Sequence, residues 1–408
     1  MCDKDKEIRE LLYALEEPVV FKNVLETEGT SKWKLLDWSL EDLANKLENQ
    51  TLPFRVGKNT KTINPQWEVD TPIEHMSLKE FLNKSQGIGN LSNWFYFDYK
   101  YMRKWFKEKS DILESLNWKS FGFDFDGSDS TMWIGNRGAH TNCHQDSYGC
   151  NLVAQIHGRK LWLLFSPKCT NVMQPTRVPF EESTIFSKYN FFTPNKKEIE
   201  AIQSTLGNVK MIILEPKDVL FVPKGWWHYV ESLEVSMSVN VWLPVKEDCY
   251  SRLKESLVHL IANTVGQDVV PRTVNQQESD LLESIKLIER SLAECKQPML
   301  KDNQKLLKNQ EMPKINDDES VLKDLNYKYS NCCSTIPNLT NENMSQFLEK
   351  NNINTTSNVD SEEINENDEA STLEILEAVV DAFCHPDVTS KVSQILRDKF
   401  IHKNINIS

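Results

Sequence analysis

A chain of 408 residues, 39% of them hydrophobic, is long enough to bury a full-sized core and still leave an extension. Its formal charge of -13, with a pI near 5.3, argues against sequence-independent binding to nucleic acid or anionic membrane, both of which depend on clustered Lys and Arg. The nine cysteines contain no C-x-x-C pair and no Cys/His set at zinc-finger spacing, which argues against a structural zinc. The first thirty residues lack a signal-peptide core, and no run approaches the ~18 apolar residues of a membrane span. A reducing, cytoplasmic setting with access to the nucleus is the expectation.

Residues 1–93 read as a mixed, mainly helical support. Lys6 to Leu15 has helical periodicity, Pro18-Val-Val-Phe21 is strand-like, and Ser39-Leu-Glu-Asp42 is a capping-box start. Residues 94–250 change character. Aromatic and β-branched segments punctuated by Gly and Pro (Asn93–Tyr99, Met132–Ile134, Asn151–Ile156, Lys160–Phe165, Val209–Leu214, Val219–Val222 and Val235–Leu243) predict an antiparallel sandwich or barrel. The basic run Lys100, Arg103, Lys104, Lys107 and Lys109 is read as the solvated side of an amphipathic helix rather than a phosphate-tracking surface. Asp124, Asp126 and Asp129 lack the terminal Glu of a calcium loop and read as a solvated turn.

Residues 251–298 turn helical, with Leu281, Leu282, Ile285, Ile288 and Leu292 at helical spacing, and permit either a monomer or a homodimer. Residues 299–370 are polar and Asn-rich, with too little apolar side-chain area to offset chain entropy, so a disordered linker is expected there. Deleting 300–408 is therefore expected to leave the barrel folded. Residues 371–408 read as amphipathic helices, with Leu373, Leu376, Val379, Val380 and Phe383 in a stripe and Pro386 as a break.

Two short stretches carry the chemistry. In His144-Gln-Asp146, positions i and i+2 of a strand project from one face, so both side chains can grip one metal while Gln145 points away. Gly225-Trp-Trp-His228 follows the turn-strand-turn run Pro216-Lys-Asp218-Val-Leu-Phe-Val-Pro223, which delivers a second histidine on a new strand. Two histidines and one carboxylate form a facial triad that leaves three positions open on Fe(II), as a metal binding both a co-substrate and O2 requires. A bare H-x-D arises often by chance; the context gives it weight.

Together with Ala154-Gln-Ile-His-Gly158-Arg-Lys160-Leu-Trp-Leu-Leu-Phe-Ser-Pro167 and Ser238-Val-Asn240-Val-Trp242, these stretches resemble the JmjC family of 2-oxoglutarate-dependent oxygenases over roughly Trp94 to Pro244. The resemblance implies a mainly β fold, a double-stranded β-helix (cupin, jelly-roll) core with flanking N- and C-terminal helices. It makes His144, Asp146 and His228 the Fe(II) ligands. It sets Thr141 and Lys160 at the distal carboxylate of 2-oxoglutarate. Asn151 and Asn240 fall near the co-substrate and metal, where an amide can donate to a carboxylate and accept from a ligand's outer N–H. Tyr96 is the candidate for an aromatic hydroxyl, with Tyr99 as its competitor. An inward-facing Lys160 among Leu, Trp and Phe needs an anion, which the co-substrate supplies; at a strand end it would instead face water.

The implied activity is a dioxygenase that uses Fe(II), 2-oxoglutarate and O2 to hydroxylate a protein side chain. Two alternatives stay open: a weakly active or inactive adaptor binding a small heat-shock protein, and a histone lysine demethylase. The second is disfavoured by the acidic charge and the absence of zinc-binding or reader-like modules. His140 and His157 read as surface or supporting residues, Trp226, Trp227 and Trp242 as wall and core, and Cys143 lacks the neighbouring base of a nucleophile.

Overall fold

The computed structural model describes residues 3–26, 32–86, 92–178, 180–181, 183–266, 269, 281–306, 318–353 and 371–401. Two antiparallel sheets face each other. The larger has nine strands in the order Cys333–Thr335, Val19–Phe21, Val219–Val222, Cys150–His157, Ser236–Leu243, Thr131–Gly135, Asn93–Tyr101, Thr51–Lys58 and Ile73–Ser77. The smaller has six, in the order Val209–Leu214, Lys160–Phe165, Trp227–Ser232, His140–Asp146, Thr184–Ser187 and Pro175–Thr176. This is the mainly β, double-stranded β-helix architecture with helices at both ends of the chain. No helix among the described residues is long and apolar enough to cross a membrane.

Strand periodicity sorts side chains between the inside and the outside of the barrel. Along Lys160–Phe165 every residue is buried, yet the two parities go to different places. Leu161, Leu163 and Phe165 join Cys143, Trp227 and Tyr229 in a cluster on the outer face of the six-stranded sheet, under the Lys196–Gln203 helix. Trp162 and Leu164 turn inward to Val153, Val222 and Val230. Lys160 shares the parity of Trp162, so its ammonium is carried inside.

The N-terminal region is more than helical cover. Helices Asp3–Ala14, Leu40–Leu47 and Leu78–Ser85 bury Leu12, Leu43 and Phe81 in the main core with Ile134, Leu152 and Phe221. Ser39 and Asp42 form the expected reciprocal cap. Three strands of the same region extend the large sheet, and Val20 lies opposite Leu220 within the barrel itself. Ser39 was legible as a cap because the motif is local; strand pairing across two hundred residues is not.

Within the stretch expected to be a disordered linker, 299–370, the described residues 318–353 are instead ordered against the barrel. Asp318–Lys328 and Asn341–Ile353 are helices, and Cys333–Thr335 pairs with Val19–Phe21 at the edge of the large sheet. Val321, Leu325 and Cys333 complete the main core, Ile336 enters the cluster inside the barrel, and Leu339, Met344 and Phe347 cover its outer face. Few apolar residues suffice because each meets a hydrophobic surface already formed by the barrel, a gain that mean composition does not register. Residues 307–317 and 354–370 lie outside the described residues.

Candidate metal centre

His144 and Asp146 project from the His140–Asp146 strand, and His228 from the adjacent Trp227–Ser232 strand, where it lies directly opposite His144. One potential ligand atom from each of the three lies within 4.8 Å of the others. The two imidazole centroids are 4.1 Å apart. Each ring is held by its own chain: His144 Nδ1 donates to the Asn142 carbonyl at 2.8 Å and His228 Nδ1 to the Trp226 carbonyl at 3.1 Å. A carbonyl can only accept, so the proton sits on Nδ1 and the Nε2 lone pair is free for a metal. Burial, and then the neighbouring His144, pull the His228 imidazole down to about 4, which keeps it neutral. Trp242 Nε1 donates to Asp146 Oδ2 at 3.0 Å, leaving Oδ1 on the His144 side. Two oriented imidazoles and one carboxylate fit a first-row divalent metal with positions to spare.

The triad opens onto a cavity of about 520 Å³ lined from both sheets. Lys160 stands in it at 1% exposure, which rejects the reading of a solvent-facing strand end. Its Nζ donates to Ser238 Oγ at 2.8 Å and to Tyr96 OH at 3.3 Å, and no carboxylate among the described residues pairs with it. Burial pulls the ammonium down to about 7. A buried cation whose partners are two hydroxyls is short of an anion.

Thr141 lines the same cavity, although it stands three residues before His144, where a regular strand would turn it outward. A register shift resolves this. His228 pairs with His144 but Val230 with Thr141, so one strand carries an extra residue and the bulge turns both side chains inward. Thr141 hydrogen-bonds Tyr96, which is buried. A second shift, between Phe97 and Lys100, sets Tyr99 at φ 53° and brings it into the cavity beside Tyr96. Tyr96 lies at the Lys160 end, while Tyr99 packs against Trp133 and Trp242 at centroid distances of 5.8 and 5.5 Å.

Asn151 and Asn240 are joined, Asn240 Nδ2 donating to Asn151 Oδ1 at 2.8 Å, and Trp133 Nε1 donates to Asn240 Oδ1 at 2.8 Å. This corrects one expectation: neither amide accepts from a ligand histidine, because backbone carbonyls two residues upstream already do so. His140 is a further correction. It is fully buried, stacked on Phe192 with its Nδ1 on the Gly138 carbonyl, so it is a core histidine rather than a surface one. Burial pushes the Cys143 thiol well up, consistent with an inert side chain. Trp242 and Ser238 were not singled out as site residues, yet one holds the carboxylate ligand and the other the lysine. Their signal was the alternation Ser238, Asn240, Trp242 on one strand face.

The model of the cupin-like domain matches residues 5–248. The chain belongs to the cupin-like JmjC family. HSPB1-associated protein 1 of Rattus norvegicus is 38% identical over 269 residues, covering 63% of this chain and 55% of its own. The protein of that name from Homo sapiens is 36% identical over 270 residues, covering 63% and 54%. Lysine-specific demethylase 8 of Xenopus tropicalis is more distant, at 24% over 247 residues, 59% and 51%. The chain thus spans about half the length of the curated relatives it matches. All five residues of the JmjC pattern on which the site rests, His144, Asp146, His228, Thr141 and Lys160, line one cavity in this member of the family.

Proposed function

We propose that the protein is an Fe(II)- and 2-oxoglutarate-dependent dioxygenase that hydroxylates a protein side chain. The observation that carries this reading is the convergence of His144, Asp146 and His228 in one cavity with an anion-deficient Lys160. His144 Nε2, His228 Nε2 and an Asp146 oxygen would hold the metal. Lys160, with Tyr96, Thr141 and Ser238 around it, would hold the distal carboxylate of the co-substrate by charge-assisted hydrogen bonds. When bound, iron and 2-oxoglutarate supply the O2-dependent oxidation of a C–H bond, with succinate and CO2 as co-products. The chain itself positions these groups and excludes water: Trp162 lies along the His228 ring at 5.7 Å, and Trp133, Tyr99 and Trp242 form an aromatic wall.

A second reading is favoured by the name of the relatives: an adaptor that binds a small heat-shock protein, with slight catalysis or none. Lysine demethylation has weaker support, since the relatives so named are 24–27% identical. Conversion of 2-oxoglutarate to succinate by the purified chain, coupled or uncoupled, separates enzyme from adaptor. Iron-dependent turnover that His144→Ala abolishes is the expected result; no turnover in the wild-type chain would leave the adaptor.

A further inference from the structure

A second cleft lies away from the metal centre, between the Asp248–Thr264 and Pro386–Phe400 helices and the turn that leads into the His228 strand. It holds about 350 Å³. Three cations from three separate elements reach it: Lys224 from the turn, Lys254 from the first helix and Arg397 from the second. Among the described residues only one is neutralised. Lys224 Nζ is 2.7 Å from Asp248 Oδ1, and Asp248 is fully engaged, accepting from the Gly149 N–H at 2.9 Å and the Val245 N–H at 2.9 Å. Lys254 and Arg397 form no ion pair among the described residues.

Arg397 lies over the Tyr250 ring at 4.3 Å, bonds Gln394, and keeps Nε buried without a hydrogen-bond partner. The two cations disfavour each other: Lys254 is pulled below the usual lysine range by burial first and then by Lys224 and Arg397. Ser251, Ser390 and Ser393 add hydroxyls to the same walls. Among the described residues Glu247 is the single further carboxylate in the lining, one charge against two.

We propose that this cleft binds a phosphate-type oxyanion. A planar guanidinium, a compact ammonium and several hydroxyls converging from three directions match the several acceptor oxygens of a tetrahedral dianion better than the two of a carboxylate. The volume exceeds that of a bare ion, so a phosphate monoester fits as well as free phosphate. Bound there, the anion ties the C-terminal helix to the strand turn four residues before His228.

The test uses the full chain, with inorganic phosphate or sulfate added at matched ionic strength, read by thermal melting and by phosphorus NMR line width. A saturable response is expected. Lys254→Gln and Arg397→Gln should each weaken it by roughly tenfold, the loss of one charge-assisted contact. Arg252→Gln, on the same helix but paired outward with Glu294, should leave it unchanged. If Arg397→Gln does not fold, as far-UV circular dichroism will tell, Lys254→Gln decides alone. A phosphoserine peptide binding more tightly than inorganic phosphate identifies a phosphoprotein as the source; equal affinity identifies the free ion. The proposal is overturned by no saturable response or by equal responses in wild type and variants.

Discussion

Replacing Lys160 by Met should make the metal-free protein more stable while abolishing its response to 2-oxoglutarate. Burial pulls the ammonium from the usual 10.5 down to about 7, which at ~1.36 kcal/mol per pH unit amounts to roughly 5 kcal/mol against the charged form. Methionine removes that penalty but leaves Ser238 Oγ and Tyr96 OH without a donor, at roughly 1–2 kcal/mol each. The net gain is roughly 1–3 kcal/mol, a rise of several degrees in melting temperature. Its pH dependence has a definite sign. Between about pH 7 and 10.5 the unfolded chain holds a proton that the folded chain has released, so wild-type stability rises with pH through that window. The advantage of the variant should thus be full near pH 6 and largely gone by about pH 9. With a divalent metal and 2-oxoglutarate at ~100 times its Kd, wild type should gain about 2.7 kcal/mol and the variant nothing from the co-substrate. Calorimetry at the two pH values, with and without 2-oxoglutarate, reads all of this. A variant that melts below wild type at low pH and still responds to 2-oxoglutarate would refute the reasoning, because Lys160 would then have an anionic partner in the resting protein.

Other perturbations reach the scaffold. A chain ending at residue 300 should lose cooperative unfolding or drop by more than ~5 kcal/mol in urea titration, since buried Val321, Leu325, Ile336, Met344 and Phe347 each contribute about 1.5–3 kcal/mol; an unchanged midpoint would show the tail to be dispensable. Glu255→Gln strands buried Arg177 and loosens the Ser147 hydroxyl that donates to Glu255 at 2.8 Å one residue after Asp146. A loss of ~3–5 kcal/mol and a weaker metal affinity should appear in melts and metal titrations, and a neutral result would mean that the pair relaxes into solvent. Gly158→Ala, at φ 58° with its new Cβ 2.1 Å from the Val235 carbonyl, should cost at least ~1–3 kcal/mol, and a melting temperature equal to wild type would contradict the tight left-handed turn ahead of Lys160.

Read alone, the sequence determined what depends on neighbours along the chain. Aromatic and β-branched segments punctuated by Gly and Pro announced the strands of the barrel, the Ser39 cap marked a helix start, and the His144–Asp146 spacing placed two prospective ligands on one face. It also set the alternation that carries Ser238, Asn240 and Trp242 together. Tertiary structure decided whatever needed a partner from far away. The bulges that turn Thr141 and Tyr99 into the cavity arise from mismatched strand lengths across a pairing, and nothing local records them. The tail from Asp318 to Phe347 is too polar to fold by itself and does so because the barrel presents apolar surface for its few large side chains. Lys224, Lys254 and Arg397 are separated by many residues in the sequence, and only the packing of two helices against a strand turn makes them neighbours whose repulsion calls for an anion.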